Sequence, residues 1–307
     1  ITLFSLLYNY CGTSEIHAYI LVAKDFSAKN SHFLYSLSNK FKKVKIRIIN
    51  IKNSYDEVTM KLNHISKAAL YRLMIPRIVD SMRDTQTDKC IYLDSDLIVE
   101  GNIADLFNID IKGHYIAGVG DGLQFLEKDT IYKNILGIPS FDRYINSGVL
   151  LFNIKEINNC DGLRDRLEKS GYRDDFFYRD QDSINSVLYD GIKLLPLKYN
   201  TMTTIIYSRE IGFYKMFGEK NIIEAINNPF IVHYITDKKP WLYRTSVMSR
   251  YWWKYVKMQD KEIFFDYIKP FLKKQKVPLF DKIIEAGKTI LKYLITFYLL
   301  HKKTSKK

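Results

Sequence analysis

The sequence predicts an α/β protein in which a mainly parallel sheet is flanked by helices and followed by a helical, basic C-terminal tail. Three observations lead there. Strand-like apolar runs alternate with helical segments of about three turns, the pattern of a sheet covered on both faces. With 307 residues, 47% hydrophobic and 26% charged, the chain has enough apolar content to form a core of one large domain with an appendage. After Pro240 the strands stop and only lysine-rich helical patterns remain.

In chain order, Ile1–Tyr10 reads as an apolar helix without the basic start or cleavage site of a signal peptide. Strand runs follow at His17–Ala23, Lys45–Ile51, Cys90–Leu93, Tyr115–Val119, Gly148–Asn153, Ile192–Leu195 and Phe230–Tyr234. Helical segments lie between them at Ser31–Phe41, Lys67–Ile78, Gly162–Ser170 and Gln181–Tyr189. Only 14 Gly and 7 Pro are present, which excludes collagen-like or linker-dominated architectures. Cys11, Cys90 and Cys160 stand far apart, arguing against a disulfide framework or thiolate zinc site and for a reducing compartment. No apolar run approaches the roughly 20 residues that span a bilayer.

Charge is strongly partitioned. Lys238–Lys307 carries 18 Lys/Arg against 5 Asp/Glu, so the whole net charge of +13 resides there, while the remaining 29 of each sign cancel. Aromatic residues from Tyr251 to Phe271 interleave with these cations, which favours an anionic membrane surface as the partner. Within Lys282–Leu300 one stripe of Ile, Leu and Tyr fits a helix lying in the interface, although a terminal helix packed on its own domain would look alike. No motif that reads DNA or RNA accompanies the basic tail, so nucleic acid is the disfavoured partner.

Chemistry is expected beyond the carboxyl ends of the strands. Asp94-Ser95-Asp96 follows a buried strand, and two carboxylates there suit a hard cation such as Mn²⁺ or Mg²⁺. An Asx-type turn closing the strand is the competing explanation. His233, at a strand end, offers an imidazole to such a site, and Lys239 offers a cation for a phosphate, though a lone strand histidine is commonly structural. Asn146-Ser147-Gly148 would permit close approach of a substrate, or form a simple turn. Asp180 fits a helix N-cap, with Asp182 in the first turn. The phosphate-binding loop, dinucleotide fingerprint and nucleophile elbow are all missing from the sequence.

Taken together, His64-Ile65-Ser66 with Tyr71-Arg72-Leu73, Ile91–Val99 around Asp94-Ser95-Asp96, Asn146–Asn153, Asp180-Gln181-Asp182 and His233-Tyr234 with Lys239-Pro240-Trp241 resemble glycosyltransferase family 8. That family takes in bacterial lipopolysaccharide galactosyl- and glucosyltransferases and glycogenin-like enzymes. The resemblance, over roughly residues 1–245, implies a GT-A fold with a Rossmann-like sheet. It implies a retaining transfer of galactose or glucose from a UDP-sugar to lipopolysaccharide or another glycan or lipid-linked acceptor. By motif position, Asp94, Asp96 and His233 look like ligands of Mn²⁺, with Mg²⁺ as the substitute. His64, Arg72, Asp94, Ser95, Asn146 and Lys239 look like contacts to the donor, and Asp180 and Gln181 like the pair beside the reacting carbon. A carboxamide is a poor nucleophile, so a front-side route through a short-lived ion pair is expected over a covalent intermediate.

The organisation that follows is a transferase domain at 1–245 and a membrane-association region at 246–307. The enzyme is expected in the cytoplasm, peripheral on the inner face of the cytoplasmic membrane. Two departures from the family pattern stand out. Ile1–Tyr10 matches the helix that ordinarily follows the family's first strand, so that strand is expected upstream of Ile1, and its loss would expose neighbouring edges. Thr236 stands where many members have Gly, which bears on the phosphate contact of Lys239. The alternative reading is a non-catalytic carbohydrate- or membrane-binding protein on a truncated transferase scaffold.

Overall fold

The structure, a computed structural model, describes residues 1–51, 54–58, 66–82, 87–122, 129–206, 211–235, 237–244 and 246–273. In chain order the first half runs α1 Thr2–Tyr8, β1 Ile16–Val22, α2 Ala28–Lys40, β2 Val44–Asn50, a 3-10 stretch Lys67–Met74 continuing into α3 Ile75–Asp80, β3 Lys89–Leu93, β4 Leu97–Val99, α4 Ile103–Phe107, β5 Ile116–Gly120 and α5 Thr130–Leu136. The second half runs β6 Ile145–Asn153, α6 Ile154–Asn159, α7 Leu163–Ser170, α8 Asp180–Val187, β7 Ile192–Leu194, a 3-10 turn Leu197–Asn200, β8 Thr201–Met202, α9 Ile211–Asn227, β9 Ile231–His233 and α10 Ser249–Lys257, with further helical turns to Lys273.

These elements form two compact units. One comprises Tyr10–Leu93 and Ala104–Leu195. Its main sheet has the order β3-β6-β5-β7, and β1 and β2 form a separate parallel pair. All nine residues of β6 are buried, as a strand covered on both faces requires. Leu70, Leu73, Ile116, Leu150, Phe152, Ile157, Leu167, Ile184 and Leu188 pack into its core, each worth about 1.5–3 kcal/mol of burial. Helix ends are secured locally: Ser27 Oγ accepts from Asn30 N–H at the start of α2, and Asn153 Oδ1 from Glu156 N–H at the start of α6.

The other unit comprises Ile1–Asn9, Asp94–Ile103 and Pro196–Lys307. Its sheet is β4-β9-β8. Helix α1 lies along β4 and satisfies its backbone: Ser5 Oγ accepts from Val99 N–H, and Asn9 Nδ2 donates to Val99 O. Such pairing covers an otherwise open strand edge. Asn9 Nδ2 also donates to the hydroxyl of Tyr255 on α10, whose ring stands edge-on to Phe4 and Tyr8. The helical character expected after Pro240 is present through Lys273, while the interfacial helix expected at 282–300 lies outside the described residues. Among the described residues no helix is long and apolar enough to cross a membrane.

The α/β class with helices against sheets is as the sequence predicts, but strand direction is more mixed. β1/β2, β5/β7 and β8/β9 are parallel, whereas β3/β6, β5/β6 and β4/β9 are antiparallel. An antiparallel strand buried on both faces has the same continuous apolar signature as a parallel one, so composition does not encode direction. The strand predicted from Gly148 begins at Ile145, which puts Asn146 and Ser147 inside β6 rather than in a turn before it. The helix predicted over Lys67–Ile78 is a 3-10 stretch through Met74 that becomes α3 at Ile75: Pro76 has no N–H to donate to Arg72 O, and Ile75 N–H bonds there instead.

Candidate active site

Two polar clusters occupy the positions the motifs single out, one in each unit. The first is built by β4 and β9. Their antiparallel register sets Leu97 opposite His233, and Tyr234 N–H closes the pair on Asp96 O at 3.1 Å. Asp96, one residue before β4, therefore lies beside the His233 ring. His233 Nε2 is 3.3 Å from Asp96 Oδ1 and 3.7 Å from Asp94 Oδ2, and one ligand atom from each of the three residues lies within 4.8 Å of the others. His233 is buried, and its Nδ1 is 2.9 Å from Asn200 Oδ1.

Asp96 Oδ1 is buried without a hydrogen-bond donor, while its Oδ2 accepts from Lys239 Nζ, which also donates to Tyr234 O. Burial opposes ionisation of Asp96, but His233 and Lys239 outweigh it and hold the carboxyl well below the ordinary range. An ionised carboxylate with one orphaned oxygen, a second carboxylate and an imidazole form a donor set suited to a divalent cation. Lys239, expected at a phosphate, is here paired with a carboxylate of that set. Ser95 is exposed and presents its carbonyl to Thr2 Oγ1. His64 and Thr236 lie outside the described residues.

The second cluster joins the 3-10 stretch, β6 and the start of α8. Arg72 is buried beneath them. Its Nη1 donates to Ser147 O at 2.6 Å and to Ser147 Oγ at 2.9 Å, and its Nε reaches Ala69 O at 2.9 Å and lies 3.3 Å from Asp180 Oδ2. The guanidinium also stacks on Tyr92, 4.6 Å from the ring centroid. Ser147 Oγ in turn donates to Asp180 Oδ2 at 2.8 Å. Gln181 Oε1 accepts from Ser147 N–H at 3.1 Å and Asn146 Nδ2 at 3.2 Å, which fixes the carboxamide. Asn146 Nδ2 also donates to Asp121 Oδ2. The predicted N-cap at Asp180 is not observed: Arg179 is the cap residue, at φ 46°, and the Asp180 carboxylate turns to Arg72 and Ser147. A buried guanidinium offers more to that carboxylate than a cap N–H does. The positive φ immediately before Asp180 is a strained backbone of the kind found at functional sites.

The matching family model is "Glycosyl transferase family 8", over residues 3–245. The chain belongs to glycosyltransferase family 8. General stress protein A of Bacillus subtilis (strain 168) is 27% identical over 240 residues, covering 77% of this chain and 80% of that protein. Glycosyltransferase GlyB of Streptococcus pneumoniae serotype 4 is 27% identical over 238 residues, covering 76% of this chain and 54% of that protein. The chain thus spans about half the length of GlyB. Among solved structures, the galactosyltransferase LgtC in complex with donor and acceptor sugar analogues superposes with a TM-score of 0.64, at 21% identity, covering 91% of this chain and 92% of that one. The bifunctional glycosyltransferase WbbM gives 0.73 at 19% identity, covering 90% of this chain and 49% of that one. The family 8 transferase fold expected from the motifs is therefore the fold of this chain.

Several partners in the two clusters escape sequence reading. Asn200, Tyr144 and Asp121 stand in no spacing that marks them. Asp182, legible as a helix-dipole residue and as the end of the Asp180-Gln181-Asp182 motif, accepts from the Tyr132 hydroxyl, the Tyr144 hydroxyl and Tyr178 N–H at 2.7, 2.5 and 2.7 Å. Burial raises its carboxyl above the ordinary range against the pull of those three donors. Asp182→Leu should cost roughly 3–5 kcal/mol, because two tyrosine hydroxyls and an amide lose their acceptor. Asp182→Asn, which keeps one, should cost less than half of that. A carboxyl raised in the fold stabilises most below the unfolded value of about 3.9 and loses that contribution as pH rises through its folded value. The advantage of wild type over Asp182→Asn should accordingly shrink as pH rises above about 4, read by urea unfolding at several pH values.

Proposed function

We propose that this chain is a retaining hexosyltransferase that moves galactose or glucose from a UDP-sugar to lipopolysaccharide or another glycan or lipid-linked acceptor. Mn²⁺, or Mg²⁺ in its place, is held by Asp94, Asp96 and His233. The observation that carries this reading is the donor set itself: three convergent ligand atoms, one of them the orphaned Asp96 Oδ1, in a chain of family 8. When bound, the cation supplies Lewis-acid stabilisation of the diphosphate leaving group. The likeness to LgtC, a galactosyltransferase solved with donor and acceptor sugar analogues, supports a hexose donor.

The residues of the chain take the following parts. Lys239 sits beside Asp96 and brings a second positive charge to the diphosphate. Ser95 and His64 are donor contacts by motif position. Asn146 and Gln181 share a hydrogen bond that fixes both amides for contact with the donor sugar. Arg72 donates to Ser147 and Ala69 and faces Asp180, so it serves donor binding by holding Ser147 and Asp180 in place. Gln181, bound through its oxygen to two N–H donors, orients rather than attacks, which accords with a front-side route to retention.

The basic, aromatic region 246–307 is the proposed anchor on the anionic inner face of the cytoplasmic membrane. Full-length chain should sediment with vesicles containing phosphatidylglycerol and detach as salt rises, and equal binding to neutral vesicles would contradict the anchor.

The transferase reading is tested by incubating the chain with UDP-galactose or UDP-glucose and MnCl₂ and following UDP release together with the anomeric proton of the first product by NMR. Release of UDP from one donor with an α-configured product is expected. A β-configured product would refute retention, and silence with both donors from folded protein would favour the binding-only reading.

A further inference from the structure

The cation site has a neighbour that none of its motifs mark. Asn200 ends the 3-10 turn Leu197–Asn200, directly before β8. β8 runs parallel to β9 with Thr201 opposite Val232 and Met202 opposite His233, so the sheet register brings Asn200 alongside the histidine ring. Asn200 is fully buried, His233 is 3% exposed, and Asn200 Oδ1 lies 2.9 Å from His233 Nδ1. Such a contact decides which ring nitrogen carries the proton. With the amide oxygen facing it, Nδ1 is the protonated nitrogen and donates to Asn200. In the neutral ring Nε2 then carries a lone pair, directed at carboxylate oxygens 3.3 and 3.7 Å away.

Three lone-pair-bearing atoms facing one another repel unless a cation stands among them. The opposite tautomer would set the Nδ1 lone pair against the Asn200 oxygen 2.9 Å away, two acceptors with no proton between them. Its Nε2–H would also consume the ligand atom and make each metal-binding event displace a proton.

We propose that Asn200 is a positioning residue of the cation site: its side-chain oxygen holds His233 as the Nδ1–H tautomer, so that Nε2 is available as a ligand. This rests on the reading of Asp94, Asp96 and His233 as cation ligands. Outer partners of ligating histidines fix ring orientation and raise ligand basicity, and their loss typically weakens metal binding about 10–100-fold.

The test uses the full chain and MnCl₂, with free Mn²⁺ counted by its electron paramagnetic resonance signal. The His233 tautomer in metal-free protein is read from long-range ¹⁵N–¹H correlations at a pH where the ring is neutral. Wild type is expected to show Nδ1–H. Asn200→Leu should bind Mn²⁺ about 10–100-fold more weakly and admit the Nε2–H form. Asn200→Asp, which keeps an acceptor, should bind as tightly as wild type or more so and keep Nδ1–H. An Nε2–H ring in wild type overturns the proposal, whether or not Asn200→Leu folds. So does unchanged Mn²⁺ affinity in folded Asn200→Leu, or loss of affinity in Asn200→Asp equal to that in Asn200→Leu. Asp96→Asn separates the two readings: if it weakens binding while Asn200→Leu does not, the site stands and Asn200 has no part in it. If neither substitution weakens binding, the cation site itself is wrong.

Discussion

Arg72→Met is expected to destabilise the chain by about 3–5 kcal/mol, because it leaves the buried Asp180 carboxylate without its cation. Methionine fills much of the arginine stem's volume, so the loss measures charge and hydrogen bonds rather than a cavity. The two bonds to Ser147, the bond to Ala69 O, the approach to Asp180 and the stack on Tyr92 go at once. Arg72→Lys should restore only part of the loss, since a single ammonium cannot serve Ser147, Ala69 and Asp180 in the plane that the guanidinium does. The double variant Arg72→Met with Asp180→Asn should be more stable than Arg72→Met alone, because the uncompensated charge is gone. Denaturant unfolding of wild type, the two single variants and the double variant reads this as a coupling energy. Strict additivity would mean that Arg72 and Asp180 do not act as a pair.

Asp96→Asn is the second large effect. The substitution removes one of two carboxylates from the donor set and the partner of Lys239. If Mn²⁺ contributes several kcal/mol at the leaving group, donor turnover should fall by roughly 10²-fold or more, at about 1.4 kcal/mol per tenfold. Some stability should be lost as well, because His233 and Lys239 hold that carboxyl well below the ordinary range in the fold, but the loss should be small beside the fall in turnover. Measuring UDP release and the unfolding midpoint on the same preparation distinguishes a lost ligand from a lost fold. A large fall in both would make Asp96 a structural residue first.

What could be read from the chain beforehand follows from how much local pattern each feature carries. β1, β2, β3 and β5 are apolar runs of five to seven residues, and their positions were legible to within a few residues. β4 and β8 were not: β4 follows β3 after only three residues, within the segment around Asp94-Ser95-Asp96, and the two residues of β8 carry no period. In α9 the helical pattern is broken at Gly218, where φ is 72°. For the site, Asp94, Asp96, His233 and Lys239 are brought together as their motifs suggest, since strand ends in a fixed register bring distant residues together. Asn200 could not be foreseen: its role depends on the pairing of β8 with β9, and no spacing in the sequence encodes that. Asp180 illustrates the reverse case. Its position suited an N-cap, but a buried arginine contributed from elsewhere in the chain redirects its carboxylate.

On the proposed function, the carboxylates and imidazole of one unit bind a UDP-hexose through a divalent cation. Calorimetric titration of UDP-galactose and UDP-glucose into the full chain, with and without MnCl₂ and beside Asp96→Asn, addresses it without needing the acceptor. Saturable binding of at least one donor is expected with MnCl₂, much weaker binding without it, and comparable weakness in Asp96→Asn whether or not the metal is added. Binding that is equally tight without metal, or unchanged in Asp96→Asn, would contradict it.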